Sequence, residues 1–209
     1  MWREGEAMLA DAWESPIEEI FARKCCRYLS READFDCQVE VCTRHERFRV
    51  DFVLSRAHET IAVECDGHDF HNPLRDEFRD AVLLGEGHFT AVYHFRGCDI
   101  TFYLEDCLWL MSVKFPALFS ERGRHQLDCL HELEIVPLLS QREAVILRKP
   151  ADPFRRAWVF RRNIQQKLSS NPYWPYWRRL YEFAGRHPGL SLDQVISLWK
   201  KRFEKEGRA

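Results

Sequence analysis

No stretch of these 209 residues stays apolar long enough to span a bilayer, so no membrane partner is expected. The first thirty residues pair no basic leader with an apolar run, so a secretory signal is not expected and a cytoplasmic location is. CxxC pairs are missing, and with them the spacing of a zinc ribbon. Cys25 and Cys26 are adjacent, Cys37 and Cys42 stand five apart, and the other four of the eight cysteines are scattered. Without an export signal they read as reduced, partly buried small hydrophobes. Internal repeats, low-complexity tracts and a Gly/Ser/Pro-rich linker are also lacking. That leaves one substantial domain, or a core with an extension.

What is present begins with a hydrophobic fraction of 45%, enough for a packed interior and too much for global disorder. The net charge of −2 hides an asymmetry. Residues 1–140 hold 15 Lys+Arg against 27 Asp+Glu, whereas residues 141–209 hold 16 against 6. An acidic front followed by a basic last third suits a metal-using enzyme with an attached phosphate-binding region, and equally suits two parts that pack together.

Ser15-Pro16-Ile17-Glu18 combines an N-cap serine, a proline at the first helical position and glutamate at the third. Ile17, Ile20, Phe21, Cys25, Tyr28 and Leu29 then follow helical spacing. Alternation predicts strands over 37–43, 48–55 and 60–66, the first two joined by a hairpin at His45-Glu46-Arg47. A helix is predicted over 74–86 and a further strand over 88–95. Beyond residue 100 the pattern reads as mainly helical: Leu104–Lys114, then Asp152 to about Ser169, then a capping box at Ser191 and Gln194 leading into an apolar face.

Alternation sets Glu64 and Asp66 side by side on one face of their strand, and Asp51 reaches the same place if the preceding strand pairs with it. Converging half-buried carboxylates repel one another unless a cation or protons neutralise them. Mg²⁺ prefers oxygen ligands, and such a site can polarise a phosphodiester and activate water. The plainer reading is an ordinary polar side chain for each; Arg49, on Asp51's face, could be an ion-pair partner. Glu18 has a structural reason to be there, because a capping box wants glutamate at that position. His68 and His71, after the acidic strand, are candidates for proton transfer. A zinc site built from Cys65, His68, His71 and Cys98 would match no standard spacing.

Ser15–Glu18, Gln38, Phe48-Arg49-Val50-Asp51-Phe52, Ala62-Val63-Glu64-Cys65-Asp66-Gly67, His71, Asp76, Arg79-Asp80, Leu84 and Val92–Phe95 form an ordered set. Together they resemble the very-short-patch-repair-like branch of the PD-(D/E)XK nuclease superfamily. The resemblance spans roughly residues 14–100. It implies a restriction-endonuclease-like α/β core (helix, three strands, helix, strand) over 1–103; the residue pattern and charge beyond it read as a mainly helical, basic region over 104–209. It also implies DNA cleavage with Mg²⁺ or Mn²⁺, with Asp51, Glu64 and Asp66 at the metal. Glu18 matches the acidic residue of the first helix and His71 the histidine after the Asp-Gly turn. Two positions depart from the superfamily. Asp66 stands where lysine is usual, as it does in this branch, which leaves the general base open between His71 and a water. His94 stands where relatives often carry arginine.

The resemblance does not cover the basic last third. Arg155, Arg156 and Arg162, together with Lys200 and Lys201, are candidate phosphate contacts. Tyr173, Trp174, Tyr176 and Trp177 could stack on unpaired bases, though packing in a helical core is the stronger reading for aromatics. The leading expectation is a Mg²⁺-dependent DNA endonuclease. The alternatives are a non-catalytic nucleic-acid-binding or assembly module on the same scaffold, and an RNA-directed nuclease.

Overall fold

The computed structural model of the chain describes residues 13–67, 72–131, 158–162 and 174–206. It is a mixed α/β fold. In chain order the elements are α1 (Pro16–Tyr28), β1 (Asp34–Cys42), β2 (Arg47–Arg56), β3 (Glu59–Asp66), α2 (Pro73–Gly85) and β4 (Ala91–Arg96). There follow α3 (Gly97–Phe102), α4 (Leu104–Lys114), a 3-10 turn (Pro116–Leu118), α5 (Glu121–Leu130), β5 (Trp158–Arg162), α6 (Trp174–Gly185) and α7 (Leu192–Glu206). No helix among the described residues is long and apolar enough to cross a membrane.

The five strands form one sheet in the order β1-β2-β3-β4-β5. Short turns join β1 to β2 and β2 to β3, so both pairs are antiparallel. β3 and β4 run parallel, because the chain between them crosses over through α2. β5 then closes the outer edge of β4 in antiparallel register.

The helix ends follow their local chemistry. Ser15 caps α1 by accepting from the Glu18 N–H, and Asn72 caps α2 by accepting from the Arg75 N–H, each just before a proline. At α7 the Ser191 hydroxyl accepts from Gln194 N while Gln194 Oε1 accepts from Ser191 N at 2.9 Å. That is the reciprocal box expected from the sequence.

Period-2 alternation puts Val50, Phe52, Leu54, Ile61, Val63, Tyr93 and Phe95 in the core, all buried. Phe21 of α1 lies 5.2 Å from Phe52 and 6.3 Å from Phe95 between ring centroids, so α1 covers that face. α2 covers the other face, its Arg79 and Asp80 meeting Glu64 and His94 of the sheet. Outside α2 lie α6 and α7. The Phe78 ring meets Trp199 edge-on at 5.4 Å, and Trp177 Nε1–H donates to Glu77 at 2.8 Å. Trp177 is fully buried and Tyr176 packs against the core, as core packing of these aromatics requires.

One expected helix is corrected. Within the segment from Asp152 to about Ser169, residues 158–162 form a strand. Trp158-Val159-Phe160 joins aromatics to a β-branched residue, types that suit a pleated surface, and the edge of β4 supplies backbone partners.

Trp177→Ala removes the side chain that α6 buries against α2, and is expected to cost about 3–5 kcal/mol. Urea denaturation measures it; a loss below about 0.5 kcal/mol would show that α6 does not belong to this core.

Candidate functional site

The β2–β3 ladder runs from Arg56–Glu59 to Phe52–Val63 and stops there. Beyond that pair the Asp51 carboxylate takes the place of a backbone partner: Cys65 N–H donates to Asp51 Oδ2 at 2.8 Å. β3 meanwhile stays paired with β4 as far as Asp66–Arg96, which sets Glu64 beside His94. The sheet therefore forks, with Asp51 on one prong and Glu64 and Asp66 on the other.

Glu18 reaches the fork from the first turn of α1. Its carboxylate accepts from Glu14 N–H at 3.0 Å, Ser15 Oγ–H at 2.7 Å and Gln38 Nε2–H at 2.9 Å. Gln38 lies across β1 from Asp51, where the register steps from Cys37–Phe52 to Val39–Val50. Its φ of 51° is left-handed, a conformation that costs a non-glycine residue of order 1 kcal/mol. Strain of this kind persists only where the surroundings impose it, and here the residue is tied to Glu18. Gln38 Oε1 is buried and has no hydrogen-bond partner among the described residues.

Two cationic side chains answer the acids. Arg79 pairs with Glu64 and donates to the Arg49 carbonyl at 2.9 Å. His94 lies between two carboxylates, Nδ1 at 3.2 Å from Asp66 and Nε2 at 2.8 Å from Asp80. Asp80 is completely buried.

The electrostatics follow from burial. Burial pushes the Glu64 carboxyl up to about 7; Asp51 and Asp66 add to the rise, against the pull of Arg79 and His94. Burial also raises Asp51, with Glu18 and Asp66 adding to it, while the Cys65 N–H and Arg79 oppose. For His94 burial favours the neutral ring, but Asp66 and Glu64 outweigh it and hold the imidazole above its ordinary value. The Cys65 thiol is raised well above its usual range by burial and by the carboxylates around it, which keeps it protonated and a poor metal ligand.

These donors are oxygens, and their negative charge exceeds what Arg79 and His94 neutralise, so the chemistry fits a hard divalent cation. The buried, unpartnered Gln38 Oε1 is one more oxygen of the same kind. Among the described residues, no group of three His, Cys, Asp or Glu is already arranged to hold a metal ion. Each carboxylate instead leans on the nearest protein donor.

Of the residues singled out from the sequence, Glu18, Asp51, Glu64 and Asp66 come together at the fork. His71 lies outside the described residues, as do His68, Arg155 and Arg156. Arg162 ends β5, and Lys200 and Lys201 are exposed on α7, away from the fork in sequence and element. The parts in the fork not assigned a site role from the sequence are Gln38, Arg79, Asp80 and His94. A visible signal was Arg79-Asp80, an adjacent cation and anion directly before the apolar run Ala81–Leu84 of α2.

No family model matches the chain, and no curated protein matches it. A crystal structure of a protein of unknown function, AF1548, aligns over 92% of this chain and 99% of its own. Its identity of 14% and TM-score of 0.30 are too low to carry an assignment of fold or function.

The raised groups give a pH dependence for the metal-free protein. Glu64 binds its proton more tightly folded, near 7, than unfolded, near roughly 4.3. Its contribution to stability is therefore full below the unfolded value and lost as pH rises through about 7. His94, also raised, acts in the same direction. In EDTA the urea midpoint is expected to fall from pH 5.5 to 8.5, with a shallower fall for Glu64→Gln. A midpoint flat or rising with pH in the wild type would contradict the buried, mutually repelling site.

Proposed function

We propose that this chain is a metal-dependent nuclease with a restriction-endonuclease-like core of the very-short-patch-repair-like kind, hydrolysing phosphodiester bonds in cytoplasmic DNA. The observation that carries the reading is the fork. The order helix, three strands, helix, strand brings Asp51, Glu64 and Asp66 to one opening in the sheet, with Glu18 beside them. A sheet gains nothing in stability from burying like charges there, and replacing buried ionic groups by apolar ones is often stabilising.

Asp51, Glu64 and Asp66 would hold a Mg²⁺ or Mn²⁺ ion, which would supply Lewis-acid polarisation of the phosphodiester and a more acidic water. The other residues keep those side chains in place. Cys65 N–H orients Asp51, Arg79 orients Glu64, and His94 ties Asp66 back to Asp80 in the covering helix. Glu18 and Gln38 fix the first turn of α1 against β1. Hydrolysis consumes one water: its oxygen joins phosphorus, the P–O ester bond breaks, and the leaving oxygen ends with a proton. His71, next to the acidic strand in sequence, remains the side-chain candidate for general base; Lys200 and Lys201 are candidates for backbone phosphate contact.

One observation favours a second reading, a non-catalytic nucleic-acid-binding module. Every carboxylate of the fork is engaged by a protein donor, and Arg79 already balances Glu64.

Incubation with supercoiled plasmid, single-stranded DNA or RNA, in Mg²⁺, Mn²⁺ or EDTA, separates the two. Metal-dependent cutting of DNA is expected, falling at least about 100-fold in folded Asp51→Ala and Glu64→Ala variants. Faster cutting of RNA would change the substrate class. Salt-sensitive binding without cutting would establish the second reading.

A further inference from the structure

A site made of carboxylates repels the polyanion it is proposed to cut, so some group must meet the phosphate with positive charge. Most cations around the fork are committed elsewhere. Arg49 pairs with Glu14, Arg75 with Glu46 and Asp193, and Arg96 with Asp99, while His94 is closed between Asp66 and Asp80. Asp66, two residues after Glu64, adds a further negative charge rather than a cation.

Arg79 differs. It projects from the middle of α2 into the fork, where it both pairs with Glu64 and lowers the cost of charging Asp51. Three neighbours hold its guanidinium: the Glu64 carboxylate, the Arg49 carbonyl at 2.9 Å, and the Phe48 ring, with Cζ 5.8 Å from the centroid. Both hydrogen bonds come from Nη2. Nε and Nη1 bond to no described residue, and the side chain keeps 15% of its surface exposed. A guanidinium carries five N–H donors, so those on Nε and Nη1 are left for an anion.

We infer that Arg79 contacts the substrate, its guanidinium holding a non-bridging oxygen of the scissile phosphodiester while Glu64 and the Arg49 carbonyl fix its plane. This rests on the nuclease reading above. Arg79 forms and breaks no covalent bond and gives up no proton. It holds the charge that gathers on the phosphoryl oxygens as water adds and the ester oxygen leaves, a role for which rigid, partly dehydrated donors are effective. A guanidinium suits it better than an ammonium, because Glu64 and the Arg49 carbonyl can fix its plane while further N–H donors remain for the phosphate.

The alternative is that Arg79 only neutralises and positions Glu64, and the two roles separate experimentally. Plasmid cleavage would be measured for wild type, Arg79→Ala and Arg79→Lys, with Mn²⁺ binding by calorimetry on the same proteins and cleavage repeated with added methylguanidinium. For Arg79→Ala, kcat is expected to fall about 100–1000-fold. Its Mn²⁺ affinity should stay within about threefold of wild type or tighten, since a nearby positive charge is gone. Methylguanidinium should restore part of the rate, and Arg79→Lys should fall between the two while binding Mn²⁺ normally. Wild-type kcat in either variant would overturn the inference. So would a loss of Mn²⁺ binding that parallels the loss of cleavage with no rescue, which is the signature of a merely positioning residue. If Arg79→Ala does not fold, Arg79→Lys alone decides by its kcat. A wild-type protein that cuts none of plasmid, single-stranded DNA or RNA would instead remove the nuclease reading itself.

Discussion

Negative charge held where water is scarce organises this molecule. Burial on β3 pushes the Glu64 carboxyl up to about 7, Asp51 and Asp66 add to that rise, and Glu18 adds to the rise of Asp51. Ionising such a cluster costs free energy that packing cannot recover, so the surrounding structure answers with donors. A backbone N–H serves Asp51, a guanidinium serves Glu64, an imidazole serves Asp66, and a side-chain amide serves Glu18. Each answer comes from a different element. The fold is thus tied together at its point of greatest electrostatic cost.

The topology makes this possible in a few steps. Because the β2–β3 ladder ends at Phe52–Val63, an opening exists for Asp51 to turn into. Because β3 and β4 are parallel, α2 must cross the sheet between them, and its adjacent Arg79 and Asp80 land over Glu64 and His94. α6 and α7 then pack on the outside of α2, through Trp177 to Glu77 and Phe78 against Trp199. The C-terminal helices so set the position of the helix that delivers the cations. A change in their packing reaches the fork through α2 without any of their own residues being in it.

Much of this was legible in the sequence, and the reasons are physical. Strands β1 to β3 declare themselves because a half-buried strand must alternate, α1 and α7 because serine caps precede their apolar stripes, and α2 because its apolar residues follow helical spacing. The same alternation places Asp51, Glu64 and Asp66 on one side. β5 was hidden: five residues are too short for a period to show, and their extended form depends on the edge of β4, which lies some sixty residues earlier. The links of His94 to Asp66 and Asp80 were hidden as well, because they depend on strand register and on where the crossover helix lies. Gln38 could not be read either. Nothing in CQVEV marks a left-handed residue, which arises only from its place between Asp51 and Glu18.

The central claim is that the fork holds a divalent cation, and direct titration tests it without any need to know the substrate. Wild-type protein and Glu64→Gln would be titrated with Mn²⁺ by calorimetry at pH 8, above the value of about 7 at which Glu64 ionises. The account expects saturable binding in the wild type and its loss, or a weakening of at least about tenfold, in the variant. No binding in the wild type, or equal binding in both proteins, would mean that the acids are satisfied by Arg79 and His94 alone and that no metal belongs there.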